Sequence, residues 1–181
     1  ELFWYDNFGM SGAKVVLFYG ATAEEAAVLQ KRIDEAAAKY LEGIDDNMSA
    51  YDVALRLHVK MINSVDYDTV ALEREKKAGG PAEGKIDYLR SICGVFLNGK
   101  AVCEGYARAM MILCRELDIP CVLAEGDART TANDDTGAHM WNYVQMEDGK
   151  WYAVDVTWND PTIAGVNSAV SGAENEKYLL V

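Results

Sequence analysis

Apolar side chains return at helical spacing through "TAEEAAVLQKRIDEAAAKYLEGI", residues 21–43, at Ala26, Leu29, Ile33, Ala37 and Tyr40 or Leu41. That period predicts an amphipathic helix. Thr22 followed by Glu25 forms a capping box at its start, and Gly43 ends it. A second helix fits "SAYDVALRLHVKMINSVDYD", 49–68, with Ser49 and Asp52 as the cap signal and Val53, Leu57, Met61 and Val65 on one face. Ahead of both, the run "KVVLFYG" within residues 1–20 reads as a short strand.

The pattern then breaks. "REKKAGGPAEGK", 74–85, is charged and glycine-rich and predicts a mobile loop. Residues 86–97 read as a short helical or irregular segment ending at an Asn98-Gly99 turn. A third helix follows over about 103–118, its buried face marked by Ala107, Met110, Met111, Cys114 and Leu117. "IPCVLAEG", 119–126, reads as a strand, 127–137 as a polar loop, and "AHMWNYVQM" and "KWYAVDVTW" as two strands joined by "EDG". Helices first and an antiparallel hairpin later predict an α+β fold. The division expected is an N-terminal extension, 1–44, packed on a domain of 45–181 whose final run "EKYLLV" reads as a strand cut at a boundary.

Composition narrows the classes. A length of 181 residues with half of them hydrophobic is enough for one domain with a sizeable core. A net charge of −12 argues against nucleic-acid or anionic-membrane partners, which need basic patches. No apolar run approaches the ~18 residues of a membrane span. The chain opens at Glu1 without a charged leader, which reads as a mature or trimmed chain. Cys93, Cys103, Cys114 and Cys121 contain no C-x-x-C pair, and His58 and His139 are the two histidines, so no zinc site is expected. Asp127, Asp134 and Asp135 lack the spacing of a calcium loop and read as solvated surface. No cofactor is expected.

The chemistry concentrates at the start of the third helix. Unpaired backbone N–H groups and the helix dipole at Cys103 favour thiolate over thiol. Gly105 beside it would leave room for a substrate backbone. A nucleophilic cysteine needs a base, and the base needs an orienting acceptor. His139 opens one strand of the hairpin, and Asp155 lies in the other between Val154 and Val156. A charge among such neighbours needs a partner. Register tests the pairing. A two-residue Asp148-Gly149 turn would set His139 opposite Trp158 and leave Asp155 on the other face. A three-residue Glu147-Asp148-Gly149 loop pairs Met146 with Lys150, sets His139 opposite Thr157 and makes Asp155 its diagonal neighbour. Gly149 suits the left-handed end of such a loop, so an odd loop length is predicted.

At these residues, "NGKAVCEGYARAMMILCRELDIPC", "GAHMWNYVQMEDGKWYAVDVTWNDP" and, more weakly, "YDVALRLHVKMINSVDYD", the chain resembles the bacterial branch of the transglutaminase-like superfamily. The likeness runs over roughly 45–161, and three blocks match in order and spacing. It implies a papain-like α+β fold, a nucleophile-bearing helix packed on an antiparallel sheet with helices ahead of it. It also implies Cys103 as nucleophile, His139 as acid and base, and Asp155 as the group that orients His139. Trp141, Asn142 and Trp158 would then wall the site beside Gly105. His58 reads as a core or capping residue and Cys114 as packing; the Cys103 backbone N–H is one donor for an oxyanion.

The activity expected is thiol-dependent amide acyl transfer or hydrolysis on a protein or peptide, by a protease, deamidase or cross-linking enzyme. The rival reading is an inactive module of a larger secreted or envelope protein, binding peptide or glycan in the same groove with Cys103 occluded or unactivated. A purely structural helical adaptor resting on 21–68 ranks last. The resemblance also implies an extracytoplasmic place. Oligomeric state is not legible.

Overall fold

A computed structural model describes residues 22–80, 87–128 and 137–160. The reading of 1–20 as containing a strand, of "EKYLLV" as another and of Asp134 and Asp135 as surface lies outside these residues.

The chain enters through helix α1, Ala23–Leu41, whose capping box forms: the Glu25 carboxylate accepts from the Thr22 N–H at 2.8 Å, and the Thr22 hydroxyl accepts from the Glu25 N–H at 3.2 Å. Helix α2, Ala50–Ile62, starts at Ser49, which accepts from the Asp52 N–H at 3.1 Å. Its stripe Val53, Leu57, Met61 is buried together with Ile33 and Ala37 of α1.

Two short strands follow the helices. β1, Asp66–Tyr67, pairs in parallel with β2, Lys100–Ala101. The pairing carries Tyr67 alongside the residues that lead into the next long helix. Between them the predicted loop at 74–85 needs correction. Helix α3, Thr69–Ala78, takes its first half, started by Asp68, whose carboxylate accepts from the Ala71 N–H at 2.8 Å, and ended by Gly79. It buries no residue, so no apolar stripe announces it. The segment before β2 closes in a π-helical turn, Gly94–Asn98.

Helix α4, Cys103–Glu116, is the central element. Tyr106, Ala107, Ala109, Met110, Leu113 and Cys114 are buried along it, a face turned slightly from the predicted one, with Met111 and Leu117 only partly covered. It lies on a three-stranded antiparallel sheet of order β3-β4-β5: Cys121–Ala128, Gly137–Gln145 and Trp151–Val154. Met140, Asn142 and Val144 of β4 turn into the core, while His139, Trp141 and Tyr143 alternate to the other face.

The hairpin turn decides the register. Met146 N–H donates to the Lys150 carbonyl at 3.0 Å and Gly149 N–H to the Met146 carbonyl at 2.9 Å, with Gly149 at φ +75°. This is the three-residue loop, and the ladder runs from Gln145↔Trp151 to Asn142↔Val154. There it stops. The predicted strand through Trp158 ends at Val154, and Val156–Asn159 form a single helical turn, α5. The chain turns because the Asp155 carboxylate takes the Trp158 N–H at 3.0 Å, a cap that competes with continued extension.

Candidate active site

Cys103 is the first residue of α4. The residue before it, Val102, has an extended backbone and no side chain that caps the helix. No side-chain oxygen therefore caps the turn at which the thiol sits. Val102 is held by its own N–H bond to the Leu89 carbonyl at 2.9 Å, which fixes where the helix begins. Cys103 is 9% exposed and lines a cleft of about 820 Å³.

His139 stands across from it on β4, paired with Gly126 of β3. Its Nε2 lies 2.6 Å from Asp155 Oδ2. The two oxygens of that carboxylate divide the work: Oδ1 caps α5 and Oδ2 holds the imidazole. Nε2 is thus occupied, and Nδ1 is the nitrogen left for the sulfur. Burial alone would push the imidazole's pKa down. Hydrogen bonds with Asp155 and with Cys103, and the charges of both, outweigh it and raise the pKa to about 9. At neutral pH His139 is an imidazolium. Two indoles flank it, Trp158 with ring centres 5.1 Å apart and Trp141 at 5.9 Å, both near parallel. Stacked aromatic faces favour a cationic ring.

The cleft wall also holds Tyr67, Arg90, Glu104, Glu125 and Asp127. Burial, and the nearby Cys103 and Glu104, push the Tyr67 hydroxyl up to about 12, so it stays protonated and able to donate. Arg90 binds Glu104 at 3.0 Å, Asp87 at 3.6 Å and also Glu75, which ties α3 to the start of α4. Its pKa is raised further, first by the Glu75 bond.

The structure brings Cys103, His139, Asp155, Trp141 and Trp158 together. Gly105 and Asn142 are corrected: both lie behind the cleft. A β-carbon on Gly105 would meet the Ala101 Cβ at 2.7 Å, so its bareness lets the preceding segment pack on α4 rather than admitting substrate. Asn142 is 1% exposed and donates to the Ala107 carbonyl at 3.0 Å, fastening β4 to α4. Sequence reasoning missed Tyr67 and Arg90. The signal for Tyr67 was its Asp-Tyr-Asp setting just after α2; for Arg90 no local pattern exists.

The model of the Transglutaminase-like superfamily matches residues 37–156. Kyphoscoliosis peptidase of Mus musculus is 30% identical over 123 residues, and that of Homo sapiens 29%, in each case 64% of this chain and 17% of the relative. The chain thus spans a small part of these proteins. The crystal structure of a TGase superimposes with a TM-score of 0.57 at 20% identity, over 87% of this chain and 38% of that one, a likeness of fold. The chain belongs to the transglutaminase-like superfamily, with its α+β, papain-like architecture of helices on an antiparallel sheet. Membership supports a transglutaminase-like or cysteine-protease role.

Proposed function

We propose that this member of the superfamily is a cysteine-nucleophile enzyme acting on amide bonds of a protein or peptide, through Cys103, His139 and Asp155. The observation that carries the reading is one imidazole set between a carboxylate and a thiol at a helix start and hydrogen-bonded to both. In this reading the nucleophile is the Cys103 thiolate. Sγ attacks the amide carbonyl carbon, forming a C–S bond. The oxyanion is met by the Cys103 N–H and, in this reading, the Tyr67 hydroxyl. His139 gives its proton to the departing nitrogen as the C–N bond breaks, leaving a thioester. Water or a primary amine then attacks, His139 accepts its proton, and the C–S bond breaks. Asp155 keeps the ring in place through both halves. Water makes the outcome hydrolysis or deamidation; an amine makes it cross-linking.

Residues 45–181 are the catalytic domain in this reading, and 1–44 an N-terminal extension whose described part, helix α1, packs on it. An extracytoplasmic place belongs to the same proposal. Among the described residues no helix is long and apolar enough to cross a membrane.

One observation favours the rival binding module: Cys103 is only 9% exposed. Iodoacetamide labelling across pH 4–9, read by mass spectrometry, separates the two. Cys103 is expected to label faster than Cys93, Cys114 and Cys121 at pH 6, and His139→Ala to abolish the difference. Slow labelling of Cys103, indifferent to His139, would replace the enzyme with the binding module.

A further inference from the structure

The helical turn that carries Asp155 is four residues long. A helix of that length does not hold itself together in water, so its geometry comes from what is tied to it. At its start the tie is Asp155 itself, through the Trp158 N–H. At its end Asn159, 1% exposed, reaches helix α2, where its amide nitrogen lies 2.9 Å from Nε2 of His58. The two residues are 101 positions apart.

His58 is fully buried, and its Nδ1 has no hydrogen-bond partner among the described residues. An unpartnered buried polar atom is costly, and an apolar side chain would fill the same space without it. What the imidazole supplies is its bond to the turn that carries Asp155.

We infer that His58 is a positioning residue for the site: through Asn159 it fixes the α5 turn, and so the Asp155 carboxylate that holds His139. The inference rests on the reading of Cys103, His139 and Asp155 above. His58 can do this without disturbing the site because it is neutral. Burial drives its pKa down to about 4, and the Asp155 charge offsets only part of that. Two imidazoles lie near one carboxylate, and their surroundings separate them, one near 4 and the other near 9. A charged His58 would compete with His139 for Asp155. The titratable groups acting on His139 are Asp155, at the end of β5, and Cys103, on α4; Asp155 acts on His58.

The test is an NMR titration of the imidazole signals in the full chain. The chain has two histidines, so His139→Gln assigns the spectrum. His58→Leu removes the tie. His58→Gln keeps a side-chain amide that can meet Asn159. In His58→Leu the His139 midpoint is expected to fall by about one pH unit or more, as Asp155 loosens, and in His58→Gln to stay near wild type. A folding defect alone would not produce that split. Should His58→Leu fail to fold, Asn159→Ala cuts the same tie from the other end and is held to the same shift. An unchanged His139 midpoint in the folded variants overturns the inference. Its failure is distinct from that of the enzyme reading, which fails if Cys103 labelling in wild type ignores His139 whatever the midpoint of His139.

Discussion

The two histidines should give this protein opposite responses to pH, and each can be read separately. The His139 pKa is about 9 in the folded chain against an ordinary 6.5. A raised pKa adds stability that is fully present below 6.5 and is lost as pH rises through 9. At 1.36 kcal/mol per unit, the whole contribution is about 3 kcal/mol. His58 runs the other way. Its folded pKa is about 4, so below 6.5 the unfolded chain binds a proton that the folded chain refuses. Stability is lost as pH falls from 6.5 to 4, again by about 3 kcal/mol, and nothing is lost above. Both side chains are well covered, with His139 9% and His58 0% exposed, so solvent screening takes little from either figure. The assay is equilibrium urea unfolding between pH 4 and 9.5 on wild type, His58→Gln and His139→Gln. Differences between proteins matter, because the carboxylates common to all three cancel. The advantage of wild type over His139→Gln should shrink by about 3 kcal/mol between pH 6.5 and 9. The standing of His58→Gln against wild type should improve by a similar amount from pH 6.5 down to 4. Differences that stay flat across these windows would refute the assignment of charge to one ring and neutrality to the other.

Two further substitutions test the packing around the site. Gly105→Ala would stabilise an exposed helix by about 1 kcal/mol; here the new carbon meets the Ala101 Cβ at 2.7 Å and the Ser91 carbonyl at 3.2 Å, so a loss of about 1–3 kcal/mol is expected in the denaturation midpoint, and a gain would contradict the close approach. Tyr106→Phe removes a buried hydroxyl that meets the Val65 carbonyl at 3.0 Å and the Asp160 carboxyl, with an expected cost of about 1–3 kcal/mol and an unfolding transition that remains cooperative; a neutral result would mean that neither bond contributes.

Where the chain's own near neighbours decide a feature, it was readable. The Thr22–Glu25 box and the Ser49–Asp52 cap span three residues each, and both form. The hairpin is the informative case. His139 and Asp155 are 16 residues apart, yet one local choice, three loop residues with Gly149 left-handed at the end, fixes every pair on the ladder. Sequence reasoning could therefore place two side chains on one face across that distance. It erred two residues beyond the last ladder pair. The alternation of Val154, Asp155, Val156 looks like strand, while the Asp155 carboxylate, by capping Trp158, bends the chain into a turn. The Asp155 charge among valines calls for a partner, and its cap on Trp158 is what ends the strand.

Helix α3 and Gly105 failed for different reasons. Helix α3 buries nothing, so periodicity had no stripe to detect; its cap at Asp68 and its stop at Gly79 were the available signals. Gly105 neighbours the thiol in sequence, which suggests room for substrate beside it. On a helix, however, a residue two positions on points to a different side. Here that side faces Ala101 and the Ser91 and Leu89 carbonyls. Arg90 was not legible because its partners Glu75 and Glu104 lie on two other elements, α3 and α4, and the His58–Asn159 tie was not legible because it crosses from α2 to α5. The elements that carry these pairs meet only once the chain has packed. A turn transmits register along a strand pair, but nothing comparable runs from α2 to α5. His58 and Asn159, which meet across that gap, are therefore left unread by sequence pattern alone, although they are as buried as the core.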